Sequence, residues 1–229
     1  MSDVDFKHQK TVLAFLIVVS LFGVILSSSF AFYPVEFGDD FAFRNLVVGS
    51  AFFVICVLGI LAALFPSSCL AVPSFWKSIR REGAASNMHQ ESFRAHHPSC
   101  ENFSSHILRI GRLELCATCS GLAVGAAVVL IGTVLYFFGA FSAGVPSILV
   151  LIGAVGVILG LLQSALPRFS KGFTRFFASI FFVVGAFLML TGVDEALGST
   201  SIDLFIVTLS VLWIMTKMAI KWVIIQNAK

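Results

Sequence analysis

Residues 96–121 read HHPSCENFSSHILRIGRLELCATCSG, and this one polar stretch holds most of the chain's metal-binding side chains. Four of the five histidines (His89, His96, His97, His106) and three of the five cysteines (Cys100, Cys116, Cys119) lie between positions 89 and 119. Imidazole and thiolate suit borderline-soft divalent ions, and a structural zinc takes four such ligands in a tetrahedron. Cys116-x-x-Cys119 has the spacing at which two sulfurs of one short turn reach a single ion. His97-x-x-Cys100 and Cys100-x5-His106 offer a second pair upstream. The candidate ligands are therefore His97, Cys100, His106, Cys116 and Cys119. His96, adjacent to His97, is either an alternative ligand or an outer-sphere partner. His89 reads as an ordinary surface histidine.

Other chemistry competes for the same residues. Cys116 and Cys119 would serve as a redox dithiol at a helix N-terminus, but no thioredoxin-like strand–helix context is expected around them. A disulfide is disfavoured if the loop faces a reducing cytoplasm. An iron–sulfur cluster asks for four cysteines, and Cys69 is the only spare one near the same membrane face. A haem between helices needs intramembrane histidines, and the apolar runs contain none. Glu101 and Glu114 are the nearest candidates for a base beside an open metal site, but solvated loop carboxylates are the commoner case. There is no His-Glu-x-x-His, Gly-x-Ser-x-Gly or phosphate loop. Zinc is the expected ion, iron–sulfur or haem the less favoured alternatives, and an enzyme is less favoured than a structural site.

The elements that must position these residues are set by lipid. Of 229 residues, 58% are hydrophobic and 12% charged, against about 25% charged in soluble chains. A hydrocarbon core of about 30 Å takes about 20 helical residues, and six runs qualify: 11–32, 46–65, 120–138, 145–166, 175–193 and 202–225. The first exceeds the roughly 7–15 residues of a signal h-region, so it is expected to remain as an anchor. With six spans, 14 of the 15 Lys and Arg fall on one side, Arg44 alone on the other. Positive loops stay in the cytoplasm, which places both termini there, in the inner or plasma membrane. Glu36, Asp39, Asp40, Asp194, Glu195 and Asp203 gather on the outer side. The net charge of +3 follows from membrane topology and implies no nucleic-acid partner.

The expected fold is thus an all-α integral membrane protein. Residues 1–65 carry two spans, residues 66–119 form a cytoplasmic loop, and residues 120–229 form a four-helix bundle. The loop is long enough to be functional and offers a surface for a cytoplasmic partner. PSFWKSIRREG sets Phe75, Trp76 and Ile79 against Lys77, Arg80 and Arg81, either as a short helix on the headgroups or as a basic cluster enforcing topology. GAASNMHQES reads as loop, and ILRIGRLELC as a small hairpin turning near Ile110-Gly111-Arg112. The third span is expected to begin directly after Cys119.

Gly121-x-x-x-Gly125 and Gly156-x-x-x-Gly160 are small-residue stripes of the kind that bring membrane helices together. They predict packing of spans three and four on each other, or a homo- or hetero-oligomer through the same faces. Coupled transport is disfavoured because the spans hold few charges. Gln163 is neutral, and Lys217, one to two turns from the inner end, can snorkel to the interface. Cys56 reads as plain core and the 25 Phe as lipid-facing filler.

HHPSC, His106, RIG and CATCSGLAVG together resemble the Cys/His loop of a family of small bacterial and archaeal multi-pass membrane proteins described only as a domain of unknown function. The likeness spans residues 96–125, and its His-His-Pro opening is closest to archaeal members, particularly of methanogens. Thr118 stands where that family usually has Arg. The resemblance implies a multi-span membrane protein with a metal-binding loop and no known reaction. Together these features predict a structural, assembly or interaction role. The alternatives are an accessory subunit of a redox or energy-converting complex, or a neutral-lined channel or lipid-handling protein.

Overall fold

A computed structural model describes residues 3–33, 43–64, 93–94, 107–110, 113–139, 142, 144–165 and 172–227. Six long helices dominate it: α1 (Asp3–Phe32), α2 (Arg44–Leu64), α3 (Ala117–Thr133), α4 (Pro146–Ala165), α5 (Gly172–Leu197) and α6 (Thr200–Asn227). A π-helical segment, Val134–Phe138, continues α3. Among the described residues, six stretches are long and apolar enough to cross a membrane, with bounds close to the expected runs. The part that can span a bilayer is all-helical, as the composition requires: in lipid a backbone must satisfy its own hydrogen bonds.

Three short strands precede α3: β1 (Phe93–Arg94), β2 (Ile107–Ile110) and β3 (Leu113–Cys116). β2 and β3 form the expected antiparallel hairpin, and β1 joins the far side of β3 in parallel. The helices run in alternating directions. One end of the bundle, the sheet end, carries the starts of α1, α3 and α5; the far end carries the starts of α2, α4 and α6.

α5 is the axis of the bundle. It packs most extensively of all on α4 and next on α3, and both glycine stripes face it. A Cβ on Gly121 would collide with the Phe176 carbonyl and Ser179, and one on Gly125 would press on Ile180. On the other side, a Cβ on Gly156 would sit 2.6 Å from the Phe181 carbonyl and one on Gly160 2.5 Å from Phe182. Gly153 and Gly185 are mutual, each leaving room for the other's carbonyl at 2.6 and 2.7 Å. The expectation that spans three and four pack on each other is therefore corrected: α5 lies between them. Within this chain the Gly121/Gly125 and Gly156/Gly160 faces are already filled by α5, so neither stripe is open to a second copy. Sequence spacing identified close-packing faces but carried no information on which helix would meet them.

α1 lies against α6, α4 and α5, and α2 against α3 and α6. Trp213, fully buried, donates its indole N–H to the Ser20 carbonyl (3.1 Å), and the hydroxyls of Ser20 and Thr216 are 2.8 Å apart. The lipid-facing surface is lined by Phe15, Val18, Phe22 and Ile25 of α1 and by Leu151, Ile152 and Val155 of α4. Phenylalanine serves both surfaces: Phe15, Phe22 and Phe181 face outward, while Phe52, Phe137 and Phe182 are buried.

Gly185→Ala should therefore lower thermal stability in detergent by about 1–3 kcal/mol, the cost of overpacking a close helix crossing. Gly59 has nothing within 4 Å of its Cβ position, and Gly59→Ala should be neutral or stabilising by up to about 1 kcal/mol through helix propensity. Paired thermal unfolding curves of the two variants check this.

Candidate functional site

At the sheet end the register carries the geometry. β1 runs parallel to β3, with Phe93 opposite Glu114 and Arg94 opposite Leu115. The chain leaving β1 is thus directed toward the Cys116 end of β3. β2 is antiparallel, with Ile107 opposite Cys116, so the chain enters β2 at that same end. The two attachment points of the intervening residues 95–106 therefore converge where β3 becomes α3. His96, His97, Cys100 and His106 belong to that segment and lie outside the described residues.

Cys116 and Cys119 are described. Cys116 is 3% exposed and ends β3; it is also the N-cap of α3, with extended backbone at φ −69° and ψ 115°. Cys119 is half-buried in the first helical turn. This corrects two expectations. The third helix starts at Ala117, not after Cys119, because the β3 backbone passes straight into helical geometry at Cys116. For the same reason the Cys-x-x-Cys does sit on a strand-to-helix junction. Ser120 donates its hydroxyl to the Cys116 carbonyl at 3.0 Å, tightening that turn. The positive end of α3 favours anionic groups, which suits sulfur as a metal ligand and as a redox thiol alike. Among the described residues no three His, Cys, Asp or Glu side chains converge as a metal site; the two cysteines are the described part of the expected set.

The far end holds a polar cluster that the sequence reading noted only as an outer boundary. Arg44 begins α2, Asp194 lies in the last turn of α5, and their side chains form an ion pair at 3.3 Å (Nη2 to Oδ1). Tyr136, from the π-helical segment, donates its hydroxyl to Asp194 Oδ2 at 2.7 Å and lies 3.3 Å from the Thr191 carbonyl. The π turn, closed by the Gly139 N–H to the Val134 carbonyl at 3.0 Å, belongs to the same stretch that carries this phenol. Asp203, in the first turn of α6, is fully buried and faces Asp194. Glu195 accepts the Ser142 hydroxyl.

One residue makes this crowding possible. Gly198 adopts φ +60° between α5 and α6 and donates its N–H to the Asp194 carbonyl at 2.8 Å, a left-handed helix cap that favours glycine. A Cβ there would also stand 2.6 Å from Arg44 Nη1. The readable signals were Arg44, alone among acids on its side, and two Asp at adjoining helix ends. Tyr136 had none, since only the folded bundle brings it to Asp194.

Lys217 is a further correction. It does not snorkel: it is 3% exposed, donates Nζ to the Gly160 carbonyl at 3.2 Å, and lies 4.6 Å over the Phe182 ring. Ser164 donates to that carbonyl as well, at 3.1 Å. Arg175, at the sheet-end start of α5, is likewise buried. The interior therefore carries more charge than the spans' composition suggested. Gly160, lacking a side chain, leaves its carbonyl reachable from α6.

Among the described residues, six apolar helices of spanning length, with α5 close-packed at their centre, make this a multi-pass membrane protein. Comparison with protein-family models, curated proteins and solved structures finds no match to this chain.

Arg44→Ala should strand a buried carboxylate and destabilise the protein by about 2–3 kcal/mol, less than the full cost of breaking a buried pair because Arg44 is 25% exposed. Arg44→Ala/Asp194→Asn should recover part of that loss. A double-mutant cycle on thermal or denaturant unfolding measures the coupling.

Proposed function

We propose that the chain is a plasma-membrane protein whose sheet end faces the cytoplasm, where residues 66–119 fold around one zinc ion and present a rigid surface for a partner or for assembly. The observation that carries this reading is the sheet register. It returns both ends of the segment holding His96, His97, Cys100 and His106 to the junction occupied by Cys116 and Cys119. The ion is held by Cys116, Cys119 and two donors of that segment, His97, Cys100 and His106 being the preferred choices.

A closed set of four ligands is structural, leaving no coordination position for substrate. In a short polar loop with little core of its own, metal binding supplies the folding energy, about 10–16 kcal/mol in small zinc domains. The strands connect directly to α3, so order imposed by the ion is transmitted to the membrane bundle. The orientation rests on the Lys and Arg of the tails and connections assigned to the sheet-end side, against Arg44 alone on the other. The likeness to the domain-of-unknown-function family supports the same architecture and supplies no reaction.

The strand-to-helix placement of Cys-x-x-Cys favours one competing reading, a dithiol or cluster in an accessory subunit of a redox complex. Metal content and the visible spectrum of the detergent-purified protein decide between them. About one zinc per chain, no colour, and loss of the metal in Cys116→Ser/Cys119→Ser are expected. Iron with a visible band would move the protein to electron transfer, and absence of bound metal would overturn the zinc loop.

A further inference from the structure

The geometry points to a binding site for a small monovalent cation, a proton or a sodium ion, between Asp194 of α5 and Asp203 of α6 at the far end of the bundle. Asp203 is 0% exposed, and neither of its carboxylate oxygens has a hydrogen-bond partner. An ionised carboxylate in that position has lost its water, and Arg44, a cation that acts on it, is already ion-paired to Asp194, a state proteins avoid by supplying a further partner. The group it faces is a second acid, Asp194. Two carboxylates that face each other in a low-dielectric interior are held together by a cation between them.

The charges around the pair set its valence. α2 contributes Arg44, ion-paired to Asp194 Oδ1. The segment after α3 contributes Tyr136, a neutral donor to Asp194 Oδ2. α5 itself adds Glu195, whose Oε1 accepts the Ser142 hydroxyl while its Oε2 is buried without a partner. α1 and α4 add nothing, since residues 11–32 and 146–165 contain no titratable side chain. Glu36, Asp39 and Asp40, in the α1–α2 connection, lie outside the described residues. Asp194, Asp203 and the Arg44 guanidinium sum to a single negative charge, which one monovalent cation neutralises, and Glu195 adds a further carboxylate beside them. A divalent ion would call for more oxygen ligands of formal charge, and among the described residues no three acidic side chains converge.

The donors are all hard oxygens. Thr200, one turn before Asp203 on the same face of α6, has a buried Oγ1 that also lacks a partner. With a proton bound, the Asp203 hydroxyl donates to Asp194, and Asp194 keeps its bonds to Arg44 and Tyr136. With sodium bound, oxygens of Asp194, Asp203 and Thr200 surround the ion. Either way the cation ties the end of α5 to the start of α6 across the short Gly198–Ser199 connection. This site is independent of the zinc loop at the other end.

The test uses the full-length protein in detergent, with the Asp203→Asn variant, which is isosteric and neutral. For a proton, the wild-type infrared spectrum contains the carbonyl stretch of a protonated carboxylic acid, and Asp203→Asn removes it. For sodium, replacing choline by sodium at constant ionic strength raises the melting temperature by on the order of 5 °C, and Asp203→Asn abolishes the rise. Should Asp203→Asn fail to fold, Asp203→Glu serves, retaining the response while moving the carboxyl band. A wild-type protein with neither the carboxylic band nor a sodium response overturns the proposal, whatever the variants do.

Discussion

Helices in lipid gain little from water exclusion when they associate, because the tails around them are as apolar as leucine. What holds them is the contact their backbones can reach, and here that contact centres on α5. Glycines of α3 approach it from one side and glycines of α4 from the other, with Gly153 and Gly185 pressing backbone to backbone. A single methyl at several of these points would overlap a carbonyl oxygen. The remaining arrangement follows from that axis: α1 and α2 fill the outside, and α6 closes the interior around Trp213 and Lys217.

Once α5 is central, its polar residues are interior as well. Asp194 at one end and Arg175 at the other are both buried, so each end of the axis needs compensation from neighbouring helices. At the far end it comes from α2, the π segment and Gly198, which together supply a cation, a phenol and the room for them. Lys217 illustrates the same economy. A glycine on α4 exposes a carbonyl and an aromatic ring of α5 lies beneath the ammonium, so a charge that chain length alone would send to the surface stays inside.

The sheet end works by a different constraint. Among the described residues ahead of α3 are three short strands, the last of which runs straight into it. A strand that becomes a helix without a loop fixes Cys116 and Cys119 relative to the membrane bundle. Hairpin and parallel pairing bring the end of β1 and the start of β2 to the Cys116 end of β3. Directional backbone pairing, not side-chain packing, sets that convergence.

The sequence by itself determined the number and approximate position of the spans, because apolar length against bilayer thickness is a one-dimensional property. It determined the hairpin around Gly111 through alternating residues, and it marked Gly121, Gly125, Gly156 and Gly160 as close-contact positions. It also isolated the cysteine–histidine stretch by composition. Only the tertiary structure decided that both glycine stripes meet α5, that Lys217 turns inward, and that Cys116 caps a helix. The pairing of Asp194 with Arg44, Tyr136 and Asp203 belongs to that second group. These residues are separated by 58 to 150 positions from Asp194 in two of the three cases, and which of them meet depends on helix rotation and neighbour order. Periodicity along one helix reports a face, but the identity of what lies opposite is fixed by the packing of all six.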